Sequence, residues 1–172
     1  VVYVGFIIIN IELLEILIDG VTGSHRFFSK YFSPNFYNFL IASFEILALL
    51  VLISVIIFWT RRNVVKIKRF FSSEIKGWPK FDADNILYFE VVLMLLFLSM
   101  NATDLILQER NFEGYYKAGS FPISSFIVPL FNSFDTSTVY VFERVFWWLH
   151  IIGIFFFLNY LYYSKHLHIL LA

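Results

Sequence analysis

His150 and His168 are the residues of this chain whose type and spacing best suit a chemical role. They stand eighteen positions apart within RVFWWLHIIGIFFFLNYLYYSKHLHIL. At 3.6 residues per turn this is five turns, so on one helix both imidazoles share a face, about 27 Å apart along the axis. That rise is roughly one hydrocarbon thickness. From Trp147 to Tyr163 the segment carries no formal charge. A membrane helix with a histidine near each leaflet boundary, both on one face, has the arrangement needed for two stacked b-type haems. Each iron takes its axial ligands from facing helices. Gly153 follows His150 by three positions and lies on nearly the same face, where a missing side chain lets a flat macrocycle approach the backbone. Arg144, a turn and a half above His150, is placed to pair a haem propionate or a lipid headgroup. Two bis-His haems need four histidines, and His25 beside Arg26 is a further candidate, either an axial ligand or a solvated loop residue. His166, about 160° around the helix from His150, reads as an interfacial residue.

A second set of residues could move protons. Glu12, Glu15 and Asp19 follow an i, i+3, i+7 pattern and share one helical face. Glu45 is the only charge in its apolar segment, and Asp104 lies with Asn101 near the end of another. Carboxylates at membrane depth are costly and usually face a bundle interior or a water-filled path. Glu12, Glu15, Glu45 and Asp104 are therefore the proton-path candidates. The plainer alternative is an acid solvated at the boundary, or hydrogen-bonded neutral between helices.

The elements that would position these groups follow from hydropathy. Of 172 residues, 59% are hydrophobic, 22% aromatic and 15% charged, against about 25% charged in soluble domains. The expected fold is an all-α integral membrane bundle, a single transmembrane domain over 1–172. Its four spans would lie at about 1–19, 36–59, 86–107 and 137–163, the first ended by Gly20 and Gly23. Both ends read as cut, so the sequence reads as an internal fragment. The loop at 60–85 holds seven of the thirteen basic residues, which makes it cytoplasmic by the positive-inside rule. The C-terminus would then also be cytoplasmic, in a multi-pass protein of the cell inner membrane. Loop residues 20–35 look like an interfacial aromatic belt. The SSFIVPLF segment, too short to span, looks like an interfacial or re-entrant cap. Zero net charge argues against nucleic acid as a partner. The absence of cysteine places any iron–sulfur cluster outside this segment.

The residues Leu149–His150–Ile151–Ile152–Gly153 and Ser164–Lys165–His166–Leu167–His168–Ile169 resemble the last transmembrane helix of the respiratory nitrate reductase gamma subunit. The wider segments YVGFIIINIELLEI, SHRFF and YSKHLHILLA resemble gamma-subunit-like membrane domains fused to heterodisulfide-reductase-like iron–sulfur domains. The resemblance spans essentially the whole chain. It implies a cytochrome b module, the membrane electron-transfer part of an oxidoreductase. Such a module exchanges electrons between membrane quinone and a cytoplasmic iron–sulfur domain or partner carrying 4Fe-4S clusters. It also implies that His150 binds the outer haem and His168 the inner one, with the inner partner histidine upstream of Val1. One departure stands out: where the gamma subunit has its second early histidine, this chain reads Ile8, Ile9, Asn10, Ile11. That leaves the outer haem dependent on His25 and keeps one or two haems open. The competing expectations are a haem-free anchor of a redox complex and a proton-coupled transport subunit.

Overall fold

The computed structural model describes residues 2–67 and 78–163. Its elements are α1 (Val2–Thr22), a 3-10 turn (Phe27–Lys30), α2 (Pro34–Asn63) and α3 (Trp78–Glu109). A second 3-10 turn (Ser124–Phe126), α4 (Val128–Phe131) and α5 (Thr136–Tyr163) complete them. Among the described residues there is no strand. Three helices are long and apolar enough to cross a membrane, at Pro34–Asn63, Phe81–Glu109 and Thr136–Tyr160. Of their most apolar stretches only 33%, 44% and 22% is buried inside the structure. Most of that apolar area therefore faces outwards, as a lipid-facing surface does, and the chain is a multi-pass helical membrane bundle. α1, at 21 residues, is also of spanning length, but it carries Glu12, Glu15 and Asp19, which sets it apart from the three charge-poor spans.

Several boundaries differ from those expected from apolarity, because a helix does not stop where hydrocarbon stops. Pro34 opens α2 after Ser33, in the first-turn position where a missing N–H costs nothing. α2 then continues through Arg61 and Arg62 to Asn63, where cations complement the helix C-terminus. α3 begins at Trp78 rather than near Ile86. The basic connection expected over 60–85 is thus shortened at both ends by helix. α1 does not end at Asp19 but runs to Thr22. Its stop is Gly23, at φ +66° and with its N–H on the Asp19 carbonyl at 2.9 Å, a left-handed cap that glycine adopts freely. At the start of α5, the Asp135 carboxylate accepts from Ser137 Oγ (2.5 Å), Thr138 Oγ1 (2.6 Å) and Thr138 N–H (3.1 Å). These hydrogen bonds hold Asp135 below the usual carboxylate range and cap the helix.

α3 is the central helix, packed on α5 along one side and on α2 along another. Buried Phe97, Leu98 and Met100 of α3 meet Tyr37, Ile41 and Phe44 of α2 and Trp147 and Ile151 of α5. Toward the other end, Phe89 packs on Phe156, Phe157 and Tyr160, and Tyr160 donates to Asp82 at 2.6 Å. The SSFIVPLF segment forms the second 3-10 turn and α4, which rests on α5 through Phe131 against Phe142 and Phe146. The bundle therefore has a cap end, where α1 and α3 finish and α2 and α5 begin.

Gly20 sets the approach of α1 to α5 at that cap end. A Cβ there would lie 2.5 Å from Trp147 Cη2 and 2.9 Å from Cζ2. Trp147 is buried and its indole is also wedged against Trp148, so the ring has little freedom to yield. Gly20→Ala is expected to cost about 1–3 kcal/mol, the range for overpacking, read as a lowered unfolding midpoint in detergent; an unchanged midpoint would mean that α1 is free to shift off α5.

Candidate functional site

The acids expected on one face of α1 do meet the bundle interior, at the cap end. Asp19 grips the following loop: Oδ1 accepts from Phe27 N–H (2.9 Å) and Ser24 Oγ (3.0 Å), and Oδ2 from Arg26 N–H (2.9 Å). Glu15, buried, accepts from Tyr37 Oη (2.9 Å) and from Phe28 N–H (3.0 Å). Between these two grips Arg26 takes a left-handed backbone conformation, φ 53° and ψ 61°. For a non-glycine residue that costs of order 1–3 kcal/mol and persists only where surrounding contacts fix it.

Those contacts are on α3. Arg26 Nη2 and Nε donate to Asp104 Oδ2 at 2.6 and 3.0 Å, and Nη2 also donates to Asn101 Oδ1 at 3.1 Å. His25 Nε2–H donates to Asp104 Oδ1 at 2.8 Å, and Gln108 Nε2 to the same oxygen at 3.2 Å. Burial works against the charge on Arg26, yet the Asp104 carboxylate holds its pKa well above the ordinary arginine value. The Arg26 side chain, 12% exposed, is therefore committed to α3. Asn101 extends the network to Glu45 Oε1 (3.2 Å), while Glu45 Oε2 receives the N–H groups of Ile123 (2.8 Å) and Ser124 (3.1 Å). Glu45, fully buried on α2, thus ties the cap segment to the bundle. Its two oxygens take three donors, from Asn101, Ile123 and Ser124.

Inside this network lies a cavity of about 40 Å³, enough for a water molecule. Its wall brings together the carboxyl groups of Glu12, Glu15, Asp19, Asp104 and Glu143 with the guanidinium groups of Arg26 and Arg144. Of the four proton-path candidates, Glu15, Glu45 and Asp104 are each held by two or more donors. Glu12 alone has no hydrogen-bond partner among the described residues. Arg144 is engaged by Glu143 through both Nε and Nη2, the latter at 2.5 Å, and its guanidinium lies 5.4 Å from the Trp147 ring centre. It sits at the cavity wall with its charge matched by Glu143.

His150 lies deeper in α5, 5% exposed, beside the Phe97 ring at 5.7 Å. Its Nδ1 is 3.1 Å from the Leu93 carbonyl oxygen. A carbonyl can only accept, so Nδ1 carries the proton and Nε2 keeps its lone pair. Nε2 has no hydrogen-bond partner among the described residues. At Gly153 a Cβ would lie 2.7 Å from Leu93 Cδ2, so Leu93 of α3 packs against the space that the missing side chain leaves. The same residue thus packs into Gly153 and orients His150. In His25 the arrangement is reversed, with Nε2 on Asp104 and Nδ1 buried without a partner among the described residues. Tyr115 and Tyr116 pack on its ring at 4.5 and 5.2 Å. His166 and His168 lie outside the described residues.

Sequence reasoning missed Glu143, Gln108, Tyr37 and Tyr115. Burial together with Glu143, to which Tyr115 donates at 2.9 Å, raises the Tyr115 phenol. A signal was present for one of them: Asn101, Asp104 and Gln108 repeat the i, i+3, i+7 pattern of Glu12, Glu15 and Asp19. Among the described residues no three His, Asp or Glu side chains converge as a metal cage. The chain matches no family of known proteins, no curated protein and no solved structure.

Proposed function

We propose that this chain is a haem b membrane module of the nitrate reductase gamma-subunit-like kind, passing electrons between membrane quinone and a cytoplasmic iron–sulfur domain or partner. The observation that carries it is the tautomer of His150. A buried histidine whose Nδ1–H is held by a backbone carbonyl and whose Nε2 lone pair is unengaged has the preparation that axial metal ligands receive. The haem, when bound, supplies one-electron transfer at its iron. His150 would hold one haem iron, with Leu93 fixing its ring, and His168 would hold a second haem. His25 could serve only through Nδ1 while Asp104 holds Nε2.

The chain's other residues handle the protons that quinone chemistry releases or takes up. Glu12 has no fixed donor and borders a water-sized cavity with an excess of carboxyl over guanidinium groups, so it is the acid best able to exchange a proton with water. In this reading α1 is the fourth span, the connection between α2 and α3 faces the cytoplasm and the cap end faces outwards. The second reading, a proton-coupled transport subunit, draws on the same cavity but gives no role to the His150 tautomer.

The test is a dithionite-reduced minus oxidised spectrum of the full-length protein with pyridine haemochrome quantitation. A b-type α band is expected, at one or two haems per chain. A spectrum without haem, from protein purified under conditions that preserve haem in other b cytochromes, would overturn the reading in favour of an anchor or a transporter.

A further inference from the structure

A second cavity, of about 650 Å³, opens at the cap end on the side away from His150. It lies between the first 3-10 turn, the start of α2, the end of α3 and the loop at 116–119. Its volume falls within the roughly 300–1,000 Å³ of small-molecule sites. Lys30 and Lys117 line it from opposite loops, and Glu109 is the one carboxylate on its wall. Neither lysine is paired with a carboxylate among the described residues, whereas Arg26, Arg62 and Arg144 all are. The Lys30 ammonium lies 5.8 Å from the centre of the Tyr116 ring, a position that keeps it over the cavity. The wall behind them is rigid. Asn38 Oδ1 accepts from Gly119 N–H at 3.1 Å, and Gln108 exchanges two hydrogen bonds with the Ala118 backbone at 3.2 and 3.3 Å. Gly119 itself, at φ +91°, lets the loop close on Ile41, 3.3 Å from where a Cβ would stand.

We propose that this cavity holds the phosphate of an anionic glycerophospholipid between Lys30 and Lys117. With Glu109 the wall carries one net positive charge, which suits a singly charged phosphodiester. The commitment to a lipid rests on position. The cavity lies where two membrane spans end, which is headgroup level, and Tyr31, Phe36 and Phe39 beside it are 70%, 49% and 67% exposed. An exposed aromatic band at that level marks the membrane interface, and the apolar face of α2 below it, with Ile46, Leu50 and Ile53 exposed, offers a track for the acyl chains. This inference needs only the membrane bundle and is independent of the haem reading.

The test uses the full-length protein in nanodiscs of phosphatidylcholine with phosphatidylglycerol as the minor component, with bound lipid counted by native mass spectrometry after release. Wild-type protein is expected to retain a phosphatidylglycerol in preference to phosphatidylcholine. A basic residue near an anionic headgroup is worth about a fivefold change in affinity, so K30Q/K117Q should bind roughly thirtyfold more weakly. The charge-preserving K30R/K117R should retain the lipid. Both lysines are exposed, and unchanged circular dichroism would show that the bundle is intact. Equal retention by wild type and K30Q/K117Q overturns the site. Displacement of the lipid by millimolar inorganic phosphate overturns the lipid assignment and points to a soluble phosphate instead.

Discussion

Arg26→Met is expected to destabilise the bundle by about 3–5 kcal/mol, the range for stripping one partner from a buried ion pair. Asp104 is 3% exposed and takes two of its hydrogen bonds from Arg26. With the guanidinium gone, the carboxylate keeps only His25 and Gln108 as donors, and Asn101 Oδ1 loses its donor as well. The effect should be strongly non-additive. In R26M/D104L both charges are absent, so the double variant should lie well above the sum of the single losses. Denaturant titration followed by circular dichroism in micelles measures all three. A loss below 1 kcal/mol for Arg26→Met would show that water reaches Asp104 and that the pair is a surface contact. The pH dependence has a defined sign. Arg26 is raised above its unfolded value, so its contribution is present below that unfolded value and is lost only as pH rises through the folded one. That is beyond the range in which proteins are studied, so no alkaline decline in stability should trace to this residue.

The pair also shows what was readable beforehand. Apolar runs located the helices containing Glu45, Asp104 and His150, because lipid exposure demands an outward hydrocarbon surface whatever the neighbours are. The same criterion misplaced the ends of α2 and α3. Arg61–Asn63 and Trp78–Asn85 continue helical hydrogen bonding beyond the apolar windows, and hydropathy reports the solvent rather than the backbone. The site was half legible. Spacing put Glu12, Glu15 and Asp19 on one face, but it could not reveal that Arg26 pairs with a residue 78 positions away. Such pairing depends on how α1 and α3 are brought together, and no local pattern encodes that. Gly153 illustrates the same limit: its spacing from His150 fits a cofactor and a close helix contact equally well, and no local pattern names Leu93 as the residue packed there.

His150→Phe is the substitution that separates a ligand from a packing residue. Phenylalanine is of similar bulk and can keep the aromatic contact with Phe97, now at 5.7 Å. It removes the donor to Leu93 and the lone pair at Nε2. Losing one hydrogen bond to a backbone carbonyl costs stability of about 1 kcal/mol, too little to unfold a bundle held by α2, α3 and α5. A ligand role therefore predicts a split result, with the unfolding midpoint nearly preserved and one b-type haem per chain missing from the pyridine haemochrome assay. Leu93→Ala should act in the intermediate sense. The carbonyl that orients His150 is backbone and survives, while the side chain that fills the space at Gly153 is lost, so haem should be retained at reduced stability. If His150→Phe leaves the haem count unchanged, the tautomer serves only the α3–α5 contact, and any haem in the chain depends on other histidines. If both substitutions lower stability by similar amounts and neither changes the spectrum, His150 and Gly153 are two parts of one helix-packing motif organised by Leu93.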